Sequence, residues 1–94
     1  MDYISMCIEG ECVSVPIRKG KTYTFEMSNV RGTERTDFHV VVRDEAPIDI
    51  NQGDRVLIAN AGFFSRDGIN CLAVVENSTI KVIRKRCNLG DELV

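Results

Sequence analysis

Tryptophan is absent from the 94 residues, there is one histidine, and aromatic residues make up 6% of the chain. Basic residues are not in excess either: 12 Lys and Arg face 14 Asp and Glu, for a formal net charge of -2. A dedicated nucleic-acid binder normally carries a basic face with interleaved aromatics. On these two shortages nucleic acid is not the expected partner. No run approaches the ~20 apolar residues of a membrane-spanning helix. The opening MDYISMCIEGEC has no basic segment followed by an apolar one, so it does not read as a secretory signal. The expected setting is cytoplasmic, where thiols stay reduced. Cys7, Cys12, Cys71 and Cys87 contain no C-x-x-C pair, so no metal is expected. There is no phosphate-cradling glycine loop, and no cofactor is expected. Repeats, linkers and low-complexity stretches are missing too, so residues 1–94 read as one domain, with 88–94 as a loose tail.

Helical periodicity is also missing, and short β-branched and aromatic runs take its place. The spacing predicts a mainly β fold of about seven strands, near residues 3–8, 11–17, 21–28, 37–43, 54–60, 70–76 and 79–85. The strand at 21–28 alternates cleanly: Tyr23, Phe25 and Met27 share one face, and Thr22, Thr24 and Glu26 the other. Strands 37–43 and 54–60 are apolar on both faces and are expected to be central. Glu9-Gly10-Glu11, Lys19-Gly20-Lys21 and Glu76-Asn77-Ser78-Thr79 read as turns. Residues 28–36 and 60–69 read as polar loops, the second holding Phe63 and Phe64 side by side. Two adjacent aromatics cannot both point inward from an extended segment. One is expected to plug the core and the other to meet a partner.

Two charge clusters stand out, acidic Asp44, Glu45 and Asp49 and basic Arg84, Lys85 and Arg86. His39 lies among valines with no Ser or Cys partner at a telling distance, which reads as packing. Lys81, between Ile80 and Val82, is a lysine in an apolar strand, where loss of solvation could prepare it as a base.

From Asp37 to Lys85 the order is strand, polar break, Gly53-Asp54, strand, Asp67-Gly68, strand, and a last strand containing Lys81. This order resembles the carboxyl-terminal self-cleavage domain of LexA, UmuD and lambda-type repressors, which is related to signal peptidase. The resemblance implies a LexA-like β scaffold with Lys81 as the position of the general base. The nucleophile is missing: the family's Ser-Met step would fall at Asp44, Glu45 or Ala46, and none is serine. The Ala61-Gly62 pair, a cleavage-type sequence, follows that step instead of preceding it. A Ser/Lys dyad needs both members, so no enzyme is expected and Lys81 would be vestigial. The resemblance implies a non-catalytic regulatory module of transcription, prophage-borne, whose partner is a repressor or a second copy in a homodimer. Phe63, Phe64, Arg84, Lys85 and Arg86 are its candidate contacts. The competing expectation is a small β-barrel that binds a ligand or nucleic acid.

Overall fold

The computed structural model describes residues 4–43 and 49–85. Asp44, Glu45 and Ala46, as well as Arg86, Cys87 and the tail 88–94, lie outside the described residues. Seven strands run in sequence: β1 (Ile4–Cys12), β2 (Ile17–Lys19), β3 (Thr22–Arg31), β4 (Glu34–Arg43), β5 (Arg55–Arg66), β6 (Ile69–Val74) and β7 (Thr79–Arg84). Among the described residues there is no helix. Five of the strands close on themselves in the order β1-β3-β4-β6-β5 and back to β1, making a barrel. All its pairings are antiparallel except β4 with β6, which is parallel. β2 adds to the edge of β3, and β7 adds to the first half of β5.

The core follows from alternation. Tyr23, Phe25 and Met27 of β3 point inward, as do Phe38, Val40 and Val42 of β4, Val56 and Ile58 of β5, and Leu72 and Val74 of β6. Tyr23 and Phe25 stack, and Phe38 meets Phe63 edge to face at 6.3 Å between centroids. Each such side chain contributes roughly 1.5–3 kcal/mol by burial.

Three expected breaks are strand instead. Gly10, in the expected turn at 9–11, is buried in mid-β1 opposite Val56. Its missing Cβ leaves room for the crossing of β1 over β3, since a Cβ there would sit 2.7 Å from the carbonyl oxygen of Ser28. The segment 28–36 is a hairpin that turns only at Gly32-Thr33, and 60–69 continues β5 to Arg66 before turning at Asp67-Gly68. Residues 30–37 are exposed throughout, so this ribbon buries neither face and leaves no alternation to read.

A bulge in β5 decides which phenylalanine enters the core. Met6 pairs with Ala61 and Cys7 with Ala59, so Asn60 is the extra residue. It adopts a left-handed φ of 59°, which asparagine tolerates better than most. Ser78 braces the site: its hydroxyl donates to the Asn60 carbonyl at 2.9 Å and accepts from the Val75 amide. Before the bulge Val56 and Ile58 point inward; after it Ala61 and Phe63 do. Without the extra residue the parity would flip and Phe64 would take the inner face. Asn60→Val should therefore cost about 1–2 kcal/mol, as a β-branched residue forced into that region. Asn60→Gly should be close to neutral. Urea unfolding of the two variants checks this, and equal stabilities would count against the bulge.

Candidate nucleic-acid interface

The outer face over β3, β4, β6 and β5 is organised in rungs by the strand register. Glu26 pairs with His39, His39 with Cys71, and Cys71 with Phe64, so these four residues form one rung across four strands. Thr24, Val41, Ala73 and Gly62 form the next, which β2 extends with Ile17. Thr22, Arg43 and Lys19 form a third, at one end of the face. Arg66, paired with Ile69 near the hairpin tip, stands at the other end. With about 3.3 Å per residue, Arg43 and Arg66 stand roughly 20 Å apart along the strands.

An open groove of about 530 Å³ runs along this face. Its walls are Glu26 on β3, His39 and Val41 on β4, Ile69 and Cys71 on β6, Phe64 and Arg66 on β5, and Asp67 in the turn. The floor is apolar and the rim is charged. Glu26 is fixed by its neighbour: its Oε1 lies 2.7 Å from His39 Nδ1. The Glu26 amide is held as well, donating to Ser14 Oγ at 2.8 Å. Cys71 is buried under the groove, and its thiol donates to the Ile69 carbonyl at 3.7 Å. Lys19, Arg43 and Arg66 are exposed, and among the described residues none has an ion pair.

The structure separates the residues that the sequence singled out. Phe63 packs on the core and Phe64 lines the outer groove. Lys81 is exposed on β7, opposite Leu57, and among the described residues no serine stands in register with it. Gly53-Asp54 and Gly68 have local duties instead. Gly53 and Gly68 hold φ of 98° and 79°, a region that favours glycine. Asp54 is buried, and its Oδ2 accepts from the Asn51 amide at 2.9 Å and from Lys85 Nζ at 3.3 Å. Arg84 is exposed opposite Arg55, which itself bridges to Glu9 at 3.0 Å.

Lys85, expected to face a partner, is turned back onto Asp54 and Asp49, each carboxylate 3.3 Å away. Partial desolvation pulls its pKa down, but the hydrogen bonds and charges of Asp54 and Asp49 together outweigh it and hold the ammonium above its ordinary 10.5. A raised lysine pKa means that the contribution is full below the unfolded value and is lost as pH climbs through the folded one. Lys85→Met, which takes a cation from beside the buried Asp54 carboxylate, should therefore lower Tm at pH 7. Lys81→Met should leave Tm unchanged, and the Lys85 deficit should shrink above pH ~11. Thermal melts of both variants across pH decide it; equal Tm values at pH 7 would refute the Asp54 contact.

No protein-family model matches the chain, and no curated protein matches it. Solved structures do. A crystal structure of a HINb domain superposes with a TM-score of 0.68 at 16% identity, covering 86% of this chain and 40% of that one. A murine DNA-binding protein solved bound with double-stranded DNA gives 0.66 at 12% identity, over 89% of this chain and 42% of that one. The chain therefore spans less than half the length of both. The OB domain of a Thermoplasma acidophilum protein gives 0.58 at 16% identity, over 90% of this chain and 80% of that one.

At such identities the likeness establishes the fold, an OB-type barrel, and it corrects two expectations. The LexA/UmuD-type self-cleavage scaffold is not what this chain forms. Gly53-Asp54, Gly68 and Lys81 fall in that family's order because turns demand the first three and an exposed strand tolerates the last. The expected partners, a repressor or a second copy, rested on that scaffold and fall with it. The expectation against nucleic acid is overturned too, since one structure of this architecture is bound to DNA. Net charge is a poor guide to such a face, because it averages over a surface on which Lys19, Arg43 and Arg66 stand apart. The outward set Thr22, Thr24 and Glu26 was readable from alternation; its neighbours on β4 and β6 were not, because pairing partners are not written in the sequence.

Proposed function

We propose that the chain is a non-catalytic nucleic-acid-binding OB barrel that works in the cytoplasm. The observation that carries this reading is the groove with Phe64 and Arg66 in its wall, on a face that carries Arg43 and Lys19 further along; among the described residues these three cations have no ion pair. Barrels of this type take oligonucleotides on the face of their second and third barrel strands, between the loops that frame it. In this chain those strands are β3 and β4. Lys19, Arg43 and Arg66 would meet phosphates, and Phe64 and Val41 would meet a base. Lys81, exposed and outside the groove, has no part in it. The thiols of Cys7, Cys12 and Cys71 suit a reducing compartment.

Fluorescence anisotropy with a labelled oligonucleotide tests the reading. Affinity should fall as salt rises, with a log-log slope of about -2 for three phosphate contacts on a single strand. Absence of binding at 50 mM salt and micromolar protein would overturn it.

A further inference from the structure

We propose that the groove takes one unstacked base from a single strand and selects guanine over thymine or uracil. This rests on the binding reading above and goes further, naming the strand state and the base.

The selection comes from the Glu26–His39 rung. His39 Nδ1 lies 2.7 Å from a carboxylate oxygen, which can only accept, so the hydrogen sits on Nδ1. In a neutral imidazole Nε2 is then a bare acceptor. Glu26 still has Oε2, and its side chain is half exposed. The Glu26–His39 pair beside Phe64 and Val41 thus offers acceptors and no donor, both carboxylate oxygens included, since Oε1 keeps a second lone pair; the donor in the wall, Arg66, stands further toward the hairpin tip, opposite Ile69. A base edge that fits must bring donors. Guanine brings two adjacent ones, N1–H and the N2 amino group, which a carboxylate engages side by side. Cytosine brings one amino group. Thymine and uracil bring one N–H between two carbonyls, and both carbonyls would face acceptors. Phe64 and Ile69 supply the apolar surface for the base plane, and Arg66 a cation for the adjoining phosphate. The groove volume, about 530 Å³, is in the usual range for a small-ligand site. A base stacked inside a duplex cannot present this edge to a groove in a protein wall without being extruded.

The experiment uses the whole chain and four labelled oligonucleotides. These are a nine-residue oligothymidylate and the same strand with its central base replaced by guanine, hypoxanthine or cytosine. The guanine strand should bind about tenfold more tightly than oligothymidylate, on the discrimination typical of a bidentate base contact. Hypoxanthine, lacking the N2 amino group, should fall between them. This comparison needs no variant and does not depend on any variant folding. Glu26→Gln should reduce the guanine-to-thymine ratio to near one, because the amide no longer pairs with two adjacent donors and no longer opposes the thymine carbonyls. A duplex carrying the same guanine should bind more weakly than the single strand. Equal affinity for all four strands, thymine preference, or a duplex bound as tightly would overturn the inference and leave the binding function standing. Failure to bind any strand would overturn both.

Discussion

Gly10→Ala should lower the stability of the domain by about 1–3 kcal/mol, the usual cost of forcing extra carbon into a packed site. Gly10→Val should cost more and leave the chain largely unfolded at 37 °C. Two effects oppose each other in the alanine variant. Restricting the unfolded chain favours it by about 0.4–1 kcal/mol. Against that, the new Cβ would sit 2.7 Å from the Ser28 carbonyl oxygen and 2.8 Å from Met27 Cγ. Met27 is fully buried and the Ser28 oxygen belongs to the backbone, so neither neighbour has an easy retreat. The clash wins. β1 also pairs with β5 along most of its length and reaches β3 only at Glu11 and Cys12. Gly10 therefore stands where one strand leaves its first partner for its second, which is the step that closes the barrel. Circular-dichroism melts should show a Tm drop of about 4–8 °C per kcal/mol for a domain of this size. An alanine variant that melts with the natural protein would mean that β1 does not cross β3 so closely.

The same glycine shows what the sequence could and could not convey. Strands with one face in the core were legible, because Tyr23, Phe25 and Met27 obey the two-residue period and Leu72 and Val74 repeat it. Gly10 between two glutamates carried every local mark of a turn. Only its tertiary neighbours make it a strand residue, and those lie 17 and 18 positions away. The hairpins beyond the barrel rim were illegible for a different reason. Val30 to Asp37 are exposed on both faces, so hydrophobic patterning had nothing to act on. Phe63 and Phe64 were legible as a pair with divided roles. Which one enters the core depends on the Asn60 bulge, an insertion visible only once β5 has a partner. The site suffered most, since Glu26, His39, Cys71 and Phe64 come from four separate segments and meet only through strand register.

Charge reversal at Arg66, in the groove wall, and at Arg43, at the far end of the same face, should produce the largest functional loss. Arg43→Glu together with Arg66→Glu is expected to weaken oligonucleotide binding at least about 100-fold at 50 mM salt, since two attractive phosphate contacts become repulsive. Folding should be spared: both side chains are exposed, at the end of β4 and near the tip of the β5–β6 hairpin, away from the packed interior. Surface changes of this kind usually move stability by no more than about 0.5 kcal/mol. The neutral pair Arg43→Gln and Arg66→Gln separates lost attraction from added repulsion. It should make the log-log salt slope shallower by about 1.4, two contacts at about 0.7 each on a single strand. Arg84→Glu provides the control, because Arg84 is equally exposed but lies on β7, off the β3–β4–β6–β5 face that carries Arg43 and Arg66. If net charge alone governed binding, Arg84→Glu would weaken it about as much as Arg43→Glu or Arg66→Glu does singly. If the groove is the site, Arg84→Glu leaves affinity nearly unchanged and Arg43→Glu alone lowers it about tenfold. Equal losses from Arg43→Glu and Arg84→Glu would remove this face from consideration and leave only diffuse attraction.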